Sequence, residues 1–197
     1  MREIAEVKFA RMLSQRPGCI PIGRPRGAKA QGCAYESAVA NAPGFRDALH
    51  GQWIEYSDAT GHGFAQPDFV FVGDIAVVAE VKLTWKLGAY AQLRKVYFPL
   101  LRAMGHRVAG VVVCRNLTHD TPRESVAGSL AEALWTARRS PQAIPVLHLP
   151  LLLPLESSRH GDETPLAKRV PSWWRKGEAA PGTGRERRRA NSAPTLA

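Results

Sequence analysis

At 197 residues, 45% apolar and 22% charged, the chain has the size and balance of one globular domain with tails. Its longest apolar run, Ile75 to Ala79, is strand-sized, its N-terminus MREIAEVKFARML lacks a signal-peptide core, and Cys19, Cys33 and Cys114 form no CxxC pair; a bilayer span, a disulfide framework and a cysteine-based metal cluster are thereby excluded, and a cytoplasmic protein with reduced thiols is expected. The net charge of +10 sits in the ends: residues 1–30 carry seven Lys/Arg against two Glu, residues 157–197 carry nine against four Asp/Glu, and residues 31–156 carry eleven of each.

In chain order, residues 3–14 can form a short amphipathic helix on Ile4, Val7, Met12 and Leu13, and the Pro/Gly-punctuated basic stretch after it reads as a linker. A helix follows from Tyr35 to about Leu49, broken or kinked at Pro43-Gly44. Gln52–Tyr56 reads as a strand ended by the turn-rich SDATGHG, and 68–72 and 75–83 read as two strands joined across Gly73-Asp74. A helix kinked at Pro99 is expected over 86–104, a buried strand over 108–114, a helix over 125–138 and a last strand over 144–149. The expected organisation is a basic segment 1–30, an α/β domain 31–156 of order α-β-β-β-α-β-α-β, and a basic, disordered tail 157–197. Basic ends around a neutral centre suit a polyanion, which releases counterions when Lys and Arg bind it; solubilising tails are the alternative.

The chemistry is concentrated in QPDFVFVGDIAVVAEVKLTW. Side chains alternate along a strand, so Glu80 and Lys82 share a face. A hairpin centred on Asp74 opposes residues whose numbers sum to about 148, which sets Asp68 across from Glu80, Val70 from Val78 and Val72 from Ala76. The other face carries Phe69, Phe71, Val77 and Val81. Two carboxylates and an ammonium at the end of an apolar strand pair are costly unless something binds them, and Mg²⁺ prefers such hard oxygen donors. Lys82 could then orient or deprotonate the attacking water, or steady phosphate charge. A buried Lys–carboxylate salt bridge at a strand end is the alternative.

Pro67-Asp68 followed, after eleven residues, by Glu80-Val81-Lys82 resembles the signature of PD-(D/E)xK nucleases, and the expected element order is similar to their restriction-endonuclease-like core, a mixed sheet flanked by helices. The resemblance covers roughly residues 31–150 and is nearest to small phage-type and RecB-like members. It implies a Mg²⁺-dependent nuclease, with Mn²⁺ as a substitute, that hydrolyses DNA phosphodiesters through a metal-activated water; RNA stays open as a substrate. It also implies Asp68, Glu80 and the Val81 carbonyl as metal ligands, with Glu36 of AYESAVA as a further ligand or an exposed helical residue. In such nucleases the next helix often carries Gln with Tyr four residues on. Here Gln92 is a candidate catalytic residue, Val96 stands at the fourth place, and Tyr97, at the fifth, reads as core. Lys86, Arg94 and Lys95 on that helix, and Trp173, Trp174, Arg175 and Lys176 in the tail, are candidate nucleic-acid contacts, the tryptophans either stacking on unpaired bases or docking the tail. A catalytically silent nucleic-acid-binding module on the same fold is the competing expectation. His62, His119-Asp120, Ser37 and Ser125 have no partners at catalytic spacing and are set aside.

Overall fold

The computed structural model describes residues 3–151; the tail 157–197, with Trp173, Trp174, Arg175 and Lys176, lies outside the described residues. The protein is α/β. A six-stranded mixed sheet is built from β2 (Leu49–His50), β5 (Phe69–Phe71), β6 (Ile75–Thr84), β7 (Arg107–Asn116), β9 (Val146–His148) and β8 (Val126–Ala127), in that spatial order. A three-stranded antiparallel sheet of β1 (Phe9–Met12), β3 (Ile54–Asp58) and β4 (Gly61–Ala65) lies beside it. The expected hairpin register holds: β5 and β6 pair Phe69 with Ala79, Val70 with Val78 and Phe71 with Val77. β6 then runs parallel to β7 over nearly its whole length.

Each face of the large sheet carries its own core. On one, Tyr35 and Val39 of α1 (Ala28–Ala40) and Ala133 and Ala137 of α4 (Leu130–Arg139) cover Phe69, Phe71, Val77, Ala79 and Val81. On the other, Val70, Ala76 and Val78 lie under α2 (Leu87–Gln92), α3 (Phe98–Ala103) and the small sheet, through Leu93, Leu100, Leu101, Ile54 and Tyr56. A strand buried on both faces must be apolar throughout, which is why IAVVA runs without a break. Gly110 of β7 lets the α2–α3 layer approach: a Cβ there would stand 2.8 Å from the Phe98 ring and 3.2 Å from Leu93.

Several expectations need correction. Residues 9–12 are a strand rather than part of a helix, because Phe9 to Met12 pair with Ser57 to Ile54, with Phe9 and Arg11 exposed and Ala10 and Met12 turned inward. The first thirty residues therefore contribute a strand and the start of a helix to the fold. α1 begins at Ala28, earlier than expected, on an alanine-rich run of high helix propensity. It ends at Ala40, before Pro43-Gly44, and Leu49–His50 is a strand. The turn expected in SDATGHG lies at Ala59-Thr60, and the residues after it form β4, where Gly63 leaves room for the Tyr56 ring opposite it. The helix expected from Ser125 starts at Leu130: Ser129 Oγ accepts the Glu132 N–H while Glu132 reaches back to the Gly128 N–H, a reciprocal cap. The element order is accordingly β-α-β-β-β-β-β-α-α-β-β-α-β rather than the simpler order expected.

Pro99 shapes the helix after the motif in an unexpected way. Leu93–Tyr97, between α2 and α3, is π-helical, and Pro99 lies at the start of α3. Proline has no N–H for the carbonyl four residues back, that of Lys95, and that carbonyl accepts the Ile4 N–H at 2.9 Å instead. The helix thereby holds the N-terminal segment.

Candidate functional site

The site forms where β5 stops and β6 continues. Extending the register would set Pro67 opposite Val81, but proline has no N–H to offer the Val81 carbonyl. The Val81 N–H instead donates to Asp68 Oδ2 at 2.6 Å, and the Val81 carbonyl points to the same open edge. The Asp68 carbonyl, facing the other way, accepts the Gly51 N–H at 2.9 Å. A short strand preceded by Pro67-Asp68 therefore makes a notch in the sheet and aims a carboxylate into it.

Glu80 and Lys82 enter this notch from β6, and Lys82 Nζ donates to Glu80 Oε1. Glu80 is only 1% exposed, and its other oxygen, Oε2, is buried with no hydrogen-bond partner. A second link runs from Lys82 to the helix: Nζ lies 3.5 Å from Gln92 Oε1, a long contact, and Gln92 Nε2 donates to the Tyr97 hydroxyl at 2.7 Å. That hydroxyl donates to the Gln66 carbonyl at 2.8 Å, one residue before Pro67. The π-helical turn explains how residues five apart meet. It absorbs one extra residue, so Tyr97 takes the place beside Gln92 that an α-helix would give to Val96. Tyr97 is both core, at 3% exposure, and site; reading it as core alone missed its hydroxyl.

Glu36 lies on α1, on the opposite layer. It contributes to raising both the Asp68 and the Glu80 carboxyl, yet its Oε1 is held by His50 Nε2 at 2.9 Å. His50, whose ring stacks on Phe69 with centroids 4.7 Å apart, was missed from sequence. A lone His before Gly51 carries no spacing signal, and only the pairing of β2 with β5 brings it to the site. Gln66 likewise acts through its backbone, which sequence does not flag.

Burial dominates the electrostatics. The Asp68 carboxyl is pushed up to about 8 by desolvation, then by the Glu80 and Glu36 charges, against the pull of the Val81 N–H and Lys82. Glu80 is also raised by burial, although Lys82 opposes it. Burial and the Glu80 charge push the Tyr97 phenol up, so it stays a neutral donor. The Cys33 thiol, one turn before Glu36, is raised by burial and by the Glu36 and Asp68 charges.

The remaining candidates are less engaged. Lys86 is exposed just before α2, Arg94 reaches the Gln142 carbonyl at 3.1 Å, and Lys95 pairs with Glu3 at 2.7 Å, so its charge is already met. His62 bonds Glu55 on the small sheet and His119 pairs with its neighbour Asp120. Among the described residues no group of three or more His, Cys, Asp or Glu side chains is arranged to hold a metal ion. The donors within the notch are two carboxylates and a carbonyl, with Glu36 held aside by His50. Such a sparse set fits Mg²⁺, which keeps most of its waters and shares its remaining positions with substrate phosphates; it does not fit a metal needing a full protein cage. Among the described residues no helix is long and apolar enough to cross a membrane. No protein-family model, no curated protein and no solved structure matches this chain.

Proposed function

We propose that the protein is a Mg²⁺-dependent nuclease with a restriction-endonuclease-like core, hydrolysing DNA phosphodiesters at the notch beside β6. The observation that carries this reading is Glu80 Oε2, a buried acceptor without a partner, beside a second carboxylate that burial holds largely protonated at neutral pH. Buried acceptors are almost always satisfied, so an unsatisfied one calls for an explanation, and beside a second buried carboxylate a bound cation supplies one. A divalent cation held by Asp68, Glu80 and the Val81 carbonyl would complete it and, when bound, would lower the pKa of an attacking water and polarise the phosphate.

The chain's own residues would do the rest. Lys82 places a positive charge where phosphate charge develops, and Gln92 steadies that ammonium while Tyr97 and the Gln66 carbonyl fix Gln92. His50 restrains Glu36, so that Glu36 joins the site only if this bond is exchanged. Incubating the full chain with linear, circular, single-stranded and branched DNA tests the reading. Cleavage with Mg²⁺ and none with chelator supports it, and no cleavage of any form with Mg²⁺ or Mn²⁺ refutes it.

A second reading, a binding module on the same fold without catalysis, is favoured by the two internal contacts Lys82–Glu80 and His50–Glu36, which engage these carboxylates from within. It expects DNA binding that chelator leaves unchanged, with no cleavage.

A further inference from the structure

The small sheet has an outer face that the proposed chemistry leaves unused. Strand alternation sends Ala10, Met12, Ile54, Tyr56 and Ala65 inward, so Phe9, Arg11, Glu55, Ser57, His62 and Phe64 share the outer face. Phe9 is 44% exposed, and neither Phe9 nor Phe64 belongs to a core cluster among the described residues. The rings are held in place rather than loose. Arg11 sits over Phe9, 5.6 Å from its centroid, and bonds Glu55 at 2.5 Å, while Glu55 bonds His62, whose ring meets Phe64 edge-on at 4.9 Å.

Two further observations say what would cover this face. The chain has no Asp or Glu between Glu6 and Glu36, but it carries Lys8, Arg11, Arg16, Arg24, Arg26 and Lys29 there, all exposed. Among the described residues, Arg11 is the only one of the six in an ion pair. This stretch leads from β1, at the edge of the small sheet, to α1, which bears Glu36. The sheet also leads to the notch: β4 ends at Ala65, and Phe64 lies four residues from Asp68, at most about 14 Å of chain. Ordered aromatic rings on a sheet whose edge strand leads into a run of exposed cations, on the way to the proposed cleavage site, match a partner with exposed base faces and a phosphate backbone. Duplex bases are already stacked and offer no face to such rings.

We propose that the outer face of β1, β3 and β4 binds single-stranded nucleic acid, stacking unpaired bases on Phe9 and Phe64 while the basic stretch from Lys8 to Lys29 meets the phosphates. This deepens the nuclease reading and rests on it for its meaning: the substrate carries a single-stranded segment beside the cleaved bond.

Binding to fluorescein-labelled oligodeoxythymidine, oligouridine and a blunt DNA duplex, followed by anisotropy of the full chain in chelator, separates the platform from cleavage. Phe9→Ala/Phe64→Ala should weaken single-strand binding at least tenfold and duplex binding less than twofold. Phe9→Leu/Phe64→Leu, which keeps apolar bulk, should lose nearly as much, guarding against a misfolded alanine variant. Trp135→Ala removes another exposed aromatic, on α4, and should change neither affinity. Comparable losses on oligodeoxythymidine and oligouridine mean that base faces are read without regard to sugar, and a loss confined to one assigns the platform to that strand. Unchanged single-strand affinity in the phenylalanine variants, or an equal loss on duplex, overturns the proposal. If the wild type binds single strands through these rings yet cuts no DNA with Mg²⁺, the platform stands and the nuclease reading falls. If it cuts and the variants bind as wild type does, the platform falls alone.

Discussion

Glu55 in the small sheet and Glu80 in the large one are both strand carboxylates bonded to cationic neighbours, and their acidities move in opposite directions. Glu55, between His62 and Arg11 on an outer face, is held below the usual carboxylate range by those two hydrogen bonds. Glu80, bonded to Lys82 inside the notch, is raised because desolvation outweighs its partner. An ion pair near water is met by its partner and by solvent, whereas a buried pair leaves Oε2 with neither. The small sheet thus uses its charges to order a surface, and the large sheet leaves one buried carboxylate oxygen without a partner.

The sharpest way to break this contrast is to remove charge from each site. If the reading holds, Asp68→Asn, Glu80→Gln or Lys82→Ala should lower DNA cleavage about 10²–10³-fold or more, measured as initial rates with Mg²⁺. Glu55→Gln should leave the rate at saturating substrate within about twofold, because Glu55 serves the outer face. Equal losses on both sides would mean that Glu80 and Lys82 are structural.

Next in size is a packing comparison between the sheets. An added Cβ at Gly110 meets two buried side chains, Phe98 and Leu93, whereas one at Gly63 meets a single buried side chain, the hydroxyl end of Tyr56, at 2.7 Å. Gly110→Ala should cost about 1–3 kcal/mol and Gly63→Ala less, read from chemical denaturation without metal. The reverse order would move the rigid core to the small sheet.

The comparison that bears most on electrostatics is pH dependence. Asp68 is raised to about 8, so between roughly pH 4 and 8 the folded protein holds a proton that the unfolded chain releases. Without metal, stability should fall as pH rises through that window, and Asp68→Asn should flatten the fall. Glu55 has the opposite sign. Its lowered carboxyl adds stability above the ordinary carboxylate range that is lost as pH falls through its folded value, so the deficit of Glu55→Gln should vanish in acid. Thermal melts of the three proteins from acid to pH 9 measure both trends.

What was legible in the sequence follows from how local each signal is. The hairpin was readable because a period-two pattern, a Gly-Asp turn and a register sum all lie within 68–84, and the pairing of Phe69 with Ala79 agrees with that sum. That Glu80 and Lys82 share a face followed from the same alternation. The first strand was not readable, because Ile4, Val7 and Met12 fit a helix as well as a strand, and only pairing with β3 decides between them. Gln92 and Tyr97 were separated by a residue too many for an α-helix. Their meeting depends on a π-helical turn, whose formation beside Pro99 no periodicity announces. His50 was hidden for a similar reason, since its partner Glu36 is fourteen residues away on another layer.

The most direct test of the account is calorimetric titration of the wild type, Asp68→Asn and Glu80→Gln with Mg²⁺ and Mn²⁺ at pH 7 and pH 9. The wild type should bind either ion, more tightly at pH 9 because binding must displace the Asp68 proton, and both variants should show little or no binding. Equal binding by all three proteins, or none by the wild type at either pH, would contradict the claim that this notch is built for a cation.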